Sequence, residues 1–84
     1  MTLADLLAAP TPFEGFPTNA SLFVYCDTHS ETERALFSGA QINYLRELAG
    51  WEPLMLADTQ FMRMDSEDWN TVYRAIKEHH DARP

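Results

Sequence analysis

The chain has 84 residues, 45% hydrophobic and 12% aromatic, with 13 acidic residues against six basic ones and a formal charge of −7. A chain this short builds one core and buries only ~60–65% of the surface its unfolded form exposes. Its hydrophobic content separates it from disordered sequences, and its negative field repels phosphate backbones, so direct nucleic-acid binding is disfavoured. Apolar runs are too short to span a bilayer, and no basic amphipathic face is available to lie on anionic lipid, which argues against a membrane partner. The single cysteine, Cys26, excludes an intramolecular disulfide. The first residues lack the basic and long apolar regions of a secretory leader, so a cytoplasmic location is expected.

Thr2 followed by Asp5, with Leu3, Leu6 and Leu7 at helical spacing, predicts a short helix over 2–9. Pro10, Pro12, Gly15 and Pro17 make 10–19 an irregular segment carrying Phe13 and Phe16. Residues 21–26, Ser-Leu-Phe-Val-Tyr-Cys, have the nearly all-apolar profile of a central strand. Asp27 to Glu31 reads as a turn, and 32–37 as the returning strand of a hairpin, with a short helix capped by Ser30 as the alternative.

Ser38 with Gln41 forms a capping box, Ile42, Leu45 and Leu48 or Ala49 mark one apolar helical face, and Gly50 supplies the left-handed stop. Period-two alternation over 51–65 predicts two short strands joined near Asp58-Thr59. Ser66, Glu67 and Asp68 open a last helix with Trp69, Val72, Tyr73 and Ile76 on one face, and 81–84 is expected to fray. The fold class is therefore α+β: a small antiparallel or mixed sheet of three to four short strands against two to three helices, in the order α-β-β-α-β-β-α, as a single acidic domain over 1–84.

Catalytic signatures are sparse. Cys26-Asp27-Thr28-His29 has the spacing of half a zinc site, but adjacent His79 and His80 point roughly 100° apart on a helix and do not complete it, so no metal is expected. A nucleophile drawn from Cys26 or Ser30 with His29 and Asp27 crowds every member into one turn, whereas working triads assemble from separate elements. Phosphate loops, G-x-S-x-G and H-E-x-x-H are absent from the sequence, so neither a cofactor nor an enzyme is expected.

The segment from Phe37 to Gly50 resembles the first helix of the helix-turn-helix domains of small repressors and antitoxins, which implies a regulator with a recognition helix after the turn. The sequence departs from that pattern directly after Gly50, where Trp51-Glu-Pro-Leu-Met-Leu is neither basic nor uninterrupted.

In size and charge the chain resembles phage-encoded inhibitors of host nucleic-acid machinery, anti-CRISPR proteins among them. That likeness implies an inhibitor or adaptor docking on the basic groove of a larger, nucleic-acid-handling protein as a mimic of nucleic-acid charge. The carboxylates outside the apolar faces are Glu31, Glu33, Glu47, Glu52, Asp65, Glu67 and Asp68, suited to charge-assisted pairing with a partner's arginine and lysine. The alternative is a module anchored by Phe13, Phe16 or Trp51, or a homodimer formed through an exposed strand edge.

Overall fold

Three of the four helices in the computed structural model, which describes residues 2–31 and 36–81, announce themselves by capping boxes with partners three residues apart. Thr2 opens α1 (Leu3–Ala8) with Asp5, Thr18 opens α2 (Asn19–His29) with Ser21, and Ser38 opens α3 (Gly39–Leu48) with Gln41. The fourth, α4 (Ser66–Asp81), begins after Asp65, whose Oδ1 accepts the Asp68 N–H at 2.8 Å. A strand β1 (Leu36–Ser38) precedes α3, and β2 (Phe61–Arg63) precedes α4. The described residues thus hold four helices and one two-stranded antiparallel sheet, with Phe37 opposite Met62.

The α+β class and the first, middle and last helices match expectation; the strand count and order do not. Residues 21–26 are helical. Their buried members, Leu22, Phe23 and Cys26, continue with Asn19 and Ser30 as 19, 22, 23, 26, 30, the spacing of one helix face. Val24 and Tyr25 put apolar groups on the other side and erase the polar stripe that would have marked the helix. Without a strand at 21–26 there is no first hairpin. Of the expected return strand, 32–35 lie outside the described residues, and Leu36 and Phe37 pair instead with β2.

Over 51–65 one strand forms instead of two. The Asn43 side chain takes the place of a strand partner, donating to the Leu54 carbonyl at 3.0 Å and accepting the Leu54 N–H at 2.7 Å. Leu56 N–H then bonds back to the Leu54 carbonyl, so 54–56 curls. The turn expected at Asp58-Thr59 is present, closed by the Gln60 N–H on the Ala57 carbonyl, and it leads into β2. Gly39 lets it approach, because a Cβ there would collide with the Ala57 carbonyl oxygen.

The core comprises Leu6, Leu22, Phe23, Cys26, Phe37, Leu45, Ala49, Met64, Trp69 and Ile76, with α4 packed on the other three helices. Asp81 closes α4 and accepts the Leu3 N–H at 3.0 Å, so it is tied to the start of α1; 82–84 lie outside the described residues. No described helix is long and apolar enough to cross a membrane.

One buried polar side chain holds α1, α2 and α3 together. Asn19, 1% exposed, donates from Nδ2 to the Leu6 carbonyl at 2.8 Å and accepts the Tyr44 hydroxyl on Oδ1 at 2.6 Å. Asn19→Ala removes both of these hydrogen bonds and is expected to lower unfolding free energy by about 1–3 kcal/mol in urea denaturation. A loss below about 0.5 kcal/mol, the usual size of a surface effect, would show that the network carries no stability.

Candidate functional site

The end of α3 determines where the middle of the chain presents its side chains. Gly50 adopts φ +77°, its N–H reaches the Glu47 carbonyl at 3.0 Å, and the Trp51 N–H reaches the Arg46 carbonyl at 2.8 Å. This paired arrangement is the Schellman helix stop, and it turns Trp51 back along the helix it follows. The Arg46 guanidinium lies 5.3 Å from the Trp51 ring centroid, while its Nε donates to the Glu52 carbonyl at 2.7 Å.

Trp51 lines two grooves. One, of about 270 Å³, is bounded by α3, β2 and α4 and includes Ile42, Leu45, Arg46, Leu54, Met62 and Arg63. The other, of about 440 Å³, lies between α3, the 51–58 segment and the first loop; Phe13, Tyr44, Glu47, Trp51, Pro53 and Asp58 line it. Phe13 meets Tyr44 edge-on at 5.3 Å between centroids. Thr11 shapes the loop that carries Phe13, its hydroxyl donating to the Phe16 carbonyl at 2.7 Å. Burial raises the Tyr44 phenol above its ordinary value, the Asn19 hydrogen bond opposes that, and the neighbouring Glu47 charge adds to it.

The second groove joins residues drawn from both candidate sets, Phe13 and Trp51 from the aromatics and Glu47 from the carboxylates. Phe16 is absent from its lining and packs edge-on against Tyr25 at 5.1 Å, so it covers the core. Glu31, Glu52 and Glu67 are exposed elsewhere. Asp65 and Asp68 are exposed too, but they exchange backbone hydrogen bonds as the cap of α4. Glu33 lies outside the described residues. Tyr44 and Asp58 escaped the sequence reading. Tyr44 stands three residues before Glu47 on α3, a spacing that puts both on one face and was available as a signal; Asp58 arrives only through the tertiary fold.

Leu54 and Met62 are exposed and line the first groove, and Met55 and Phe61 are exposed as well; period-two alternation assigns all four to strand faces. Behind α3 the chain runs irregularly over 51–60, and the next helix starts at Ser66, so the partner helix implied by the helix-turn-helix likeness does not follow the turn. His29 stacks on Tyr25, and His80 Nε2 lies 2.9 Å from the Leu48 carbonyl oxygen. Among the described residues no three of His, Cys, Asp and Glu gather closely enough to share a metal ion.

Comparison with known proteins gives no match to any family model, any curated protein or any solved structure.

Cys26 is fully enclosed, and burial pushes its thiol up to about 12. As pH rises from 9.0 toward that value, the unfolded chain loses the proton that the folded chain keeps. Stability is therefore expected to fall in this window, by up to ~1.4 kcal/mol per pH unit from this group. Comparing urea midpoints of wild type and Cys26→Ala across the window isolates the contribution; parallel curves would contradict it.

Proposed function

We propose that this chain is a non-catalytic protein-binding domain, an inhibitor or adaptor that docks its acidic surface on the basic groove of a larger, nucleic-acid-handling protein. The observation that carries this reading is the exposure of Glu31, Glu47, Glu52, Asp58 and Glu67 on a chain of net charge −7, with Glu47 and Asp58 bordering an aromatic groove. Aromatic walls and carboxylates together suit cationic side chains, which gain from both ring faces and charge-assisted hydrogen bonds. Elsewhere on the surface, the exposed Glu31, Glu52 and Glu67 add to the negative field that speeds encounter with a positive surface. A phage-type, anti-CRISPR-like inhibitor is the biological form this chemistry fits, with the carboxylates standing in for nucleic-acid phosphates.

A second reading draws on the exposed Leu54, Met55, Phe61 and Met62, which suit an apolar partner or a second copy of the chain pairing along β2. The two differ in their response to salt. Acid–base docking weakens as ionic strength rises, whereas apolar or self-association holds or strengthens once like charges are screened.

Tagged wild-type protein and the triple variant Glu31→Lys, Glu52→Lys, Glu67→Lys, all outside the groove, are to be compared by capture from host lysate with salt-gradient elution and mass spectrometry. The expected outcome is a nucleic-acid-binding protein held by wild type, released at moderate salt, and competed off by DNA or RNA. The triple variant should bind it at least ~10-fold more weakly with unchanged circular dichroism, three lost pairs at ~0.5–1 kcal/mol each sufficing for that. Equal capture by both proteins, or a partner that resists salt, would exclude the acidic-surface reading.

A further inference from the structure

Within the proposed function, which this inference rests on, we propose that the groove lined by Phe13, Tyr44, Glu47, Trp51 and Asp58 is a receptor for one arginine side chain of the partner protein. Its chemistry discriminates among cations. A guanidinium is planar, weakly hydrated and forked, so it stacks on aromatic surfaces while donating to carboxylates at its edges; a lysine ammonium is a compact, strongly hydrated point charge. The groove supplies both elements. Phe13, Tyr44 and Trp51 contribute the aromatic surface, and Glu47 from α3 and Asp58 from the 57–60 turn contribute carboxylates from two different elements.

Two further observations favour this occupant. Trp51 already receives a guanidinium from within the chain, because Arg46 lies over its ring. Arg46 lines the first groove and not the second, and no described lysine, arginine or histidine lines the site proposed here.

The walls are held in place before any partner arrives. Tyr44 is fixed by its hydroxyl on Asn19, and the 51–58 segment by Asn43 on Leu54 and by the Ala40 N–H on the Asp58 carbonyl at 3.3 Å. A prearranged site loses little side-chain freedom on binding, which matters when the whole ligand is one side chain.

The test uses three capped tripeptides, acetyl-Gly-Xaa-Gly-amide with Xaa arginine, lysine or citrulline, titrated into isotopically labelled protein and followed by amide and indole NMR shifts. The arginine peptide is expected to bind in the millimolar range, with saturable shifts at the Trp51 indole and the Asn43, Tyr44 and Asp58 amides. The lysine peptide should bind roughly fivefold more weakly, and uncharged citrulline should leave the groove unshifted. Glu47→Gln and Asp58→Asn, both exposed and nearly isosteric, should each weaken the arginine peptide roughly three- to fivefold while leaving the rest of the spectrum unchanged.

Groove shifts that are absent, equal for arginine and lysine, or indifferent to both variants would overturn the proposal. Any of these results would leave the acidic-surface reading standing, because that reading is decided by Glu31, Glu52 and Glu67, none of which lines the groove.

Discussion

Asn19 is the interaction on which the other placements rest. A primary amide enclosed in an apolar core is costly unless its donors and acceptor are matched, and here one side chain joins the last turn of α1 to the middle of α3. Its own N–H bonds the Ala9 carbonyl at 2.9 Å, which closes the ends of the intervening proline-rich loop on each other. With those ends fixed, Thr11 and the positive φ of Gly15 leave the loop little choice, and Phe13 is delivered against Tyr44. The groove wall is therefore a product of the core network, although Phe13 is far from Tyr44 and Trp51 in sequence.

What the sequence made legible follows from how local each signal is. The helices at 3–8, 39–48 and 66–81 begin at polar residues whose partners lie three positions on, and each carries apolar residues at helical spacing. The α2 segment also has its box, Thr18 with Ser21, but serine stands where glutamate or glutamine usually marks the motif. Its apolar residues encircle the helix, so periodicity gave no vote and β-propensity decided wrongly. Val24 shows the cost of that rule, since it is β-branched, apolar and largely exposed on a helix.

The middle of the chain misled for a different reason. Alternation over 54–57 is real, but a strand needs a partner, and the nearest candidate for backbone pairing is a side chain, Asn43. Once that amide has satisfied both backbone groups of Leu54, the segment turns away and β2 pairs with residues on the far side of α3. No window of local sequence contains this competition. The same holds for the site: charge and aromaticity were each visible as lists, and only the fold brings Phe13, Glu47 and Asp58 within one groove.

The two grooves flanking Trp51 differ in sign, and the difference originates in the helix repeat. Arg46 and Glu47 are neighbours in sequence and stand roughly 100° apart around α3, so they fall on opposite sides of a ring turned back over the helix end. Arg46 is held on its side by the Glu52 carbonyl and the Trp51 ring. Had it lain beside Glu47, the internal pair would have consumed the charge that makes the second groove selective. Trp51 thus stands between a groove lined by Arg46, Arg63 and Asp68 and one whose charged lining residues are Glu47 and Asp58. A net charge of −7 by itself implies only a general attraction for basic surfaces, whereas under the proposed arginine-receptor reading this partition would give that attraction a place and a preferred side chain.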